Sequence, residues 1–196
     1  MKIHHRRMTQ LVTLTCIGML AGCGNIATVK SFSTSYQEAS SGEIAQLRVI
    51  SNGMVRAVPG RECVNWRSEG AGVMIVPKKG FADLNDHDLH MPESDLMLSH
   101  TGVGVARSEL RVAANVPITL DFLGSGWFSA SGATRYFCKK SLSFVPQSGE
   151  NYEAVFLESG ACSISVRQLS SDKNKAASQI VPIKNADFCN LTDKFS

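Results

Sequence analysis

The chain beyond residue 22 lacks a surplus of charge of either sign. Three of the 20 lysine and arginine residues, Lys2, Arg6 and Arg7, lie in the first 22 residues, which hold none of the 17 acidic residues. The other 17 bases therefore equal the acids in number, and the densest basic clusters are pairs such as Lys78-Lys79. Nucleic-acid binding needs clustered positive charge to neutralise phosphates. We therefore expect no nucleic-acid partner.

The sequence also lacks the common motifs of nucleophilic catalysis and nucleotide binding. Ser125 lies in Gly124-Ser125-Gly126, which is not G-x-S-x-G, and it follows a predicted strand without the helix that a nucleophile elbow requires. Gly102-Val103-Gly104 begins a G-x-G-x-x-G pattern that ends at Arg107 instead of glycine. We therefore expect a protein that is not an enzyme and that holds no cofactor.

No apolar run is long enough to predict a membrane-spanning helix, which needs about 20 apolar residues. The mostly apolar run from Met8 to Gly22 is shorter, follows a basic start and ends in Leu20-Ala21-Gly22-Cys23. These four residues resemble the lipobox of bacterial lipoproteins. The resemblance implies that the lipoprotein signal peptidase removes residues 1–22 as a signal peptide, and that Cys23 receives a diacylglycerol and a fatty acid such as palmitate.

The same resemblance implies an address in the cell envelope. In bacterial lipoproteins an aspartate after the lipidated cysteine favours inner-membrane retention, and this chain has Gly24 at that position. We therefore expect anchoring to the outer membrane through Cys23, with the folded part facing the periplasm. Two or more acyl chains give a firm anchor, because each buried methylene contributes about 0.8 kcal/mol.

Four cysteines remain after Cys16 leaves with the signal peptide and Cys23 is lipidated. An even number of cysteines in an exported protein predicts disulfides, and four cysteines allow three connectivities. We favour Cys138–Cys162, because a hairpin folded about Ser148-Gly149 would place the two cysteines near each other. Cys63–Cys189 is the pair that remains. A four-thiolate metal site is disfavoured because no C-x-x-C pair is present.

The patterns after Ala45 predict strands. Ile118, Leu120 and Phe122 alternate with less apolar residues, later segments repeat this period of two, and Asn52-Gly53 between apolar runs predicts a hairpin. About eight short strands and no long amphipathic helix predict an all-β fold, an antiparallel β-sandwich over residues 45–196. Residues 23–44, rich in serine and threonine, are predicted as the lipidated cysteine and a flexible tether. The alternative is that Val29 to Phe32 adds an edge strand.

One irregular segment, residues 78–104, concentrates polar side chains. His87 and His90 have a spacing compatible with sharing a metal ion, and Asp86 or Asp88 would supply a third ligand. The alternative, which we favour, is a solvated acidic loop without metal. In that case Met91 and Pro92 pin the loop to the sandwich.

Two aromatic residues, Trp127 and Phe128, lie among glycines and serines. At a loop tip their side chains would stack on a sugar or insert into a partner protein, and the alternative is a loop folded back over the sandwich end.

The tethered, disulfide-bonded sandwich resembles small envelope lipoproteins as a class rather than one named family. We therefore expect a membrane-anchored envelope lipoprotein with a non-catalytic binding or assembly role toward an envelope protein partner. The alternative is a ligand-binding module, with metal at the His87/His90 loop or a glycan at Trp127.

Overall fold

The computed structural model describes residues 26–77, 87–95, 104–128, 132, 135–170 and 178–194. The predicted signal peptide and Cys23 lie outside these ranges. Within them, no helix combines the length and the apolar character that crossing a bilayer requires.

The described residues form two five-stranded β-sheets, a two-stranded ribbon and two short helices. The first sheet has the order β11 (Gln179–Ile180), β10 (Cys162–Leu169), β9 (Asn151–Glu158), β1 (Ile44–Ser51) and β4 (Ala106–Ala113). The second sheet has the order β12 (Lys184–Asn185), β8 (Lys139–Phe144), β5 (Ile118–Leu123), β2 (Met54–Pro59) and β3 (Gly72–Ile75). The ribbon joins β6 (Trp127–Phe128) to β7 (Arg135–Tyr136), and the helices are α1 (Ile26–Ser31) and α2 (Leu191–Lys194).

The predicted all-β sandwich is confirmed, with its sheets packed face to face. All strand pairs are antiparallel except β1 and β9, which run parallel in the first sheet. The structure also contains twelve strands in its described part, more than the eight predicted, because four of them have only two residues. Such short strands carry too few residues to show a period of two.

Apolar side chains from alternating strand positions fill the space between the sheets. The predicted alternation is confirmed in β5 and β9, where Leu120, Phe122, Ala154 and Phe156 are fully buried. Phe122 from the second sheet meets Phe156 from the first, with ring centroids 5.5 Å apart. Burying such side chains contributes about 1.5 to 3 kcal/mol each, so this core is the main stabilising term of the fold.

The hairpin predicted at Asn52-Gly53 is wrong. β1 and β2 lie in different sheets, so this turn carries the chain across the sandwich. The side chain of Asn52 bonds the backbone of Glu158, accepting from its N–H at 2.9 Å and donating to its C=O at 2.8 Å. Gly53 lies so close to β5 that a Cβ atom would be 2.6 Å from the ring of Phe122. Asn52 and Gly53 therefore form a tight connection between the two sheets.

The hairpin predicted about Ser148-Gly149 is also wrong, although the disulfide argued from it is correct. β8 belongs to the second sheet and β9 to the first, so this turn is a second crossing. Cys138 and Cys162 are bonded, and so are Cys63 and Cys189. Cys138 precedes β8 and Cys162 begins β10, so the bond joins the two sheets at one end of the sandwich.

The tether predicted over residues 23–44 is shorter than expected, because residues 31–39 pack on the sandwich. Ser35 forms a parallel bridge with Val73, and Tyr36 is buried. The backbone of residues 34 and 35 passes so close to Gly72 that a Cβ atom there would collide with it. The alternative edge strand at Val29 to Phe32 is also wrong, because α1 covers most of that segment. The folded domain therefore begins well before Ala45.

The packed segment is held by Arg56 on the outer face of the second sheet. The guanidinium lies between the rings of Phe32 and Trp66, 4.0 Å and 3.9 Å from their centroids. It donates to Asp121 at 2.5 Å and to the hydroxyl of Ser31 at 2.6 Å. Burial lowers the pKa of Arg56, and the neighbouring Asp121 carboxylate opposes that shift. Arg56 thus joins the start of the domain to its sheet.

Candidate functional site

The two-stranded ribbon extends from the end of β5 at one end of the sandwich. We call residues 125–137 the aromatic ribbon, because four of them are aromatic. Trp127 pairs with Tyr136 and Phe128 with Arg135 across its two strands. Tyr136 is 48% exposed and Phe137 is 55% exposed. The ribbon therefore presents aromatic surface to its surroundings.

The base of the aromatic ribbon is fixed by the buried carboxylate of Glu158. One oxygen accepts the backbone N–H of Gly126 at 2.6 Å, and the other accepts that of Cys138 at 2.5 Å. Gly126 directly precedes β6, and Cys138 follows β7 by two residues. Gly124 allows the carboxylate to approach, since a Cβ atom there would be 2.5 Å from it. A single side chain thus ties both strands together, with charge-assisted hydrogen bonds.

Three further contacts hold this base in place. The backbone N–H of Gly124 donates to the C=O of Cys138 at 2.8 Å, and Cys138 is disulfide-bonded to Cys162. Asn52 fixes the backbone of Glu158 through the two hydrogen bonds described above. A loop presented from a rigid scaffold is the usual arrangement for binding residues.

Within the aromatic ribbon, Arg135 contacts the exposed ring of Phe137. Its guanidinium donates to the C=O of Ser125 at 2.7 Å and lies 4.7 Å from the ring centroid of Phe137. The sequence predicted Trp127 and Phe128 as binding residues, and their backbones lie in this ribbon. It missed Tyr136 and Phe137. In the structure Tyr136 pairs with Trp127, and Phe137 lies between β7 and the disulfide-bonded Cys138.

The two histidines of the predicted metal site make separate contacts. Nδ1 of His87 lies 3.4 Å from a carboxylate oxygen of Glu38, and Nδ1 of His90 lies 3.5 Å from Asp88. Asp88 also accepts the backbone N–H of His90, and this hydrogen bond lowers the pKa of the Asp88 carboxyl. Asp86 lies outside the described residues. Among those described, no three His, Cys, Asp or Glu side chains are grouped to hold a metal ion.

A buried ionic network beneath residues 87–95 holds this loop on the outer face of the first sheet. Arg48 lies between its two cross-strand neighbours, Glu109 and Glu153, at 2.7 Å and 3.1 Å. It also donates to the backbone C=O groups of Met91 and Pro92, so the predicted role of these two residues in pinning the loop is confirmed. The burial of Arg48 could not be predicted, because a lone arginine in a strand is usually exposed.

A cleft of about 570 Å³ lies at the opposite end of the sandwich, where residues 179–184 cross between the sheets. Its lining combines three glutamines, Gln147, Gln168 and Gln179, with the apolar side chains of Val145 and Ile180. The hydroxyl of Tyr152 accepts the backbone N–H of Gln147 there at 2.9 Å, and burial raises the pKa of this tyrosine. Among the described residues that line the cleft, Glu62 is the single carboxylate, and it is ion-paired with Lys184 at 2.9 Å rather than facing a second carboxylate for acid–base chemistry.

Fold and surface together define an all-β, disulfide-bonded sandwich with an exposed aromatic ribbon on a rigid base. No protein-family model matches the chain, and no curated protein sequence shows significant similarity to it.

Proposed function

We propose that the protein is a lipoprotein of the bacterial cell envelope that binds a protein partner through the aromatic ribbon. Its role is in binding or assembly, without catalysis and without a cofactor. The observation that carries the proposal is the combination of exposed rings, Tyr136 and Phe137, with the fixed base at Glu158.

Aromatic side chains suit protein interfaces because they bury a large area while losing few rotamers. Binding energy in such interfaces concentrates in a few anchors, enriched in tyrosine, tryptophan and arginine. The aromatic ribbon carries all three types, in Trp127, Arg135 and Tyr136. A rigid base adds affinity, since less conformational entropy is lost when the partner binds.

The location in the envelope rests on the lipobox residues Leu20 to Cys23, and the two disulfides support an oxidising compartment. Gly24 favours the outer membrane, with the sandwich in the periplasm. In this proposal Cys23→Ser abolishes lipid labelling and leaves precursor or soluble protein. If the variant still fractionates with membranes after a high-salt wash, the lipoprotein assignment is wrong.

Photo-cross-linking in the native envelope tests the partner. A photoreactive residue is placed at Phe137 and, as a matched control, at Val116, which is 39% exposed and precedes β5 at its other end. We expect one saturable protein adduct from position 137 and none from position 116. The partner identified from that adduct is then purified and its affinity measured for the chain and for Tyr136→Ser/Phe137→Ser.

The double substitution should weaken binding at least about 30-fold, because truncating an interface anchor costs about 2 kcal/mol or more. Equal adducts from positions 116 and 137, or unchanged affinity in the double variant, would contradict the assignment of the aromatic ribbon as the binding surface.

A second candidate function is a glycan-binding module at the same place. It is favoured by the exposed rings beside Arg135, because sugars stack on aromatic faces and bond to charged donors. Titration with envelope glycan fragments distinguishes the two functions. Saturable glycan binding that Tyr136→Ser/Phe137→Ser abolishes, without any protein adduct from position 137, would favour the glycan.

A further inference from the structure

The distance between the proposed lipid anchor and the folded domain is short. Ser31 is fixed on the second sheet by Arg56, and α1 occupies Ile26 to Ser31. Only Gly24 and Asn25 separate Cys23 from α1. A helix rises 1.5 Å per residue and an extended chain at most 3.6 Å, so Cys23 and Ser31 are at most about 18 Å apart.

The greatest distance between Cys23 and Ser31 is smaller than the length of the domain. An eight-residue strand such as β1 is about 26 Å long. Two sheets lie about 10 Å apart before their outer layers are added. Because Ala27 of α1 packs on the sandwich, only the chain from Cys23 to Ile26, at most about 11 Å long, separates the domain from the membrane, and this is too short for the domain to turn its opposite side to the lipid.

The surface around α1 is built from segments that are distant in the sequence. Ala27 and Phe188 both pack against a small apolar cluster on the outer face of the second sheet, formed by Val58, Val64, Trp66 and Ala71. α2 is joined to the same place by the Cys63–Cys189 bond and by the contact between Arg67 and Asp193. We call α1, residues 64–71 and α2 the anchor face.

Two apolar side chains of the anchor face are strongly exposed. Val29 on α1 is 67% exposed, and Leu191 on α2 is 82% exposed. The anchor face holds three bases, Lys30, Arg67 and Lys194, and two acids, Glu69 and Asp193, so its formal net charge is only +1. Contact with lipid is thus set by the anchor and by apolar side chains rather than by attraction to anionic head groups.

We propose that the anchor face rests on the head-group region of the membrane that holds the acylated Cys23, with the loop at residues 87–95 turned away from it. This orientation rests on the proposed lipidation. It follows because the anchored segment lies on the outer face of the second sheet, whereas that loop covers the outer face of the first.

Photo-cross-linking to lipid tests the orientation in the full, lipidated chain. The chain is reconstituted in vesicles of phosphatidylethanolamine and phosphatidylglycerol, with the photoreactive residue at position 191 or at position 90. Both side chains are strongly exposed, Leu191 at 82% and His90 at 92%, so they form a matched pair. We expect at least five times more lipid adduct from position 191 than from position 90.

A linker variant tests whether the short anchor causes this preference. Twelve glycine and serine residues inserted between Gly24 and Asn25 add a root-mean-square reach of about 17 to 21 Å. We expect the two positions to give adducts within twofold of each other in this variant, while the signal peptide and lipobox stay unchanged.

The outcomes separate this inference from the proposed function. If the chain floats with the vesicles but positions 191 and 90 label equally without the linker, the orientation is wrong and the lipid anchor stands. If position 191 still labels five times more than position 90 in the linker variant, the short anchor is not the cause of the orientation. A chain that does not float with the vesicles refutes lipidation, and the orientation with it.

Discussion

Replacing Arg56 with methionine should separate the N-terminal segment from the sandwich. The substitution leaves the Asp121 carboxylate, 3% exposed, with the Ser141 hydroxyl as its remaining side-chain partner at 2.7 Å. Removing one member of a buried ion pair costs about 3 to 5 kcal/mol. Loss of the stacking on Phe32 and Trp66 adds about 0.5 to 2 kcal/mol for each ring, part of which the methionine side chain restores. We expect a total loss near 4 kcal/mol.

Urea denaturation with the disulfides intact measures this loss. Arg61→Met is the matched control, because Arg61 donates to Ser68 at an exposed position and its loss should change stability by less than about 0.5 kcal/mol. Trypsin gives a second measurement, since cleavage at Lys30 should accelerate in Arg56→Met. When Asp121→Asn is added to Arg56→Met, the double variant should recover part of the stability, because it no longer buries an unpaired charge.

The reasoning is refuted if Arg56→Met loses less than about 1 kcal/mol, or no more than the Arg61→Met control. It is also refuted if Lys30 is cleaved at the same rate in both proteins, since the segment would then be held by other contacts.

Three further predictions concern the sandwich itself. Cys138→Ser/Cys162→Ser should lose about 3 to 4 kcal/mol of stability by the loop-entropy model. Proteolysis within the aromatic ribbon should also accelerate in this variant, and an unchanged rate would contradict the role of the disulfide at the ribbon base. His87→Ala/His90→Ala should leave the melting temperature nearly unchanged, and zinc should raise the melting temperature of neither the variant nor the unaltered chain. A zinc-dependent rise in the unaltered chain alone would establish a metal site. Burial raises the pKa of Tyr36 above its usual value of 10.0, so the neutral phenol favours the folded state and stability falls as the pH rises above 10. Tyr36→Phe should reduce that fall by up to about 1.4 kcal/mol per pH unit in alkaline denaturation curves, and an equally steep fall in both proteins would contradict this assignment.

Sequence patterns predicted the strands but not the sheets to which they belong. The alternation in Ile118 to Leu123 reports which side of the strand carries the apolar side chains, which is a local property. Asn52-Gly53 also satisfies the local requirements of a hairpin, yet the chain uses it to cross the sandwich. Its partner there is Glu158, more than a hundred residues away, and short-range patterns carry no information about such a contact.

The serine-rich segment after Cys23 shows a second limit of composition. Ser31 and Ser35 suggested a flexible tether, because hydroxyl side chains seldom form a core. In the fold the Ser31 hydroxyl accepts from a buried arginine, and Ser35 pairs its backbone with Val73. The candidate site was predicted in part for the same reason. The glycines and serines around Trp127 and Phe128 predict an exposed loop, whereas no local pattern distinguishes Glu158, which fixes the ribbon, from other acids at strand ends.

The parallel pairing of β1 with β9 determines when the protein can fold. Its register joins Gln46 to Asn151, so a central strand of the first sheet has no complete set of neighbours until most of the chain has been synthesised. Contacts between such distant residues slow folding, because a long loop must close before they form. The early strands therefore emerge with unpaired backbone edges and exposed apolar faces, and a chain truncated before β9 should aggregate or be degraded rather than fold as a smaller domain.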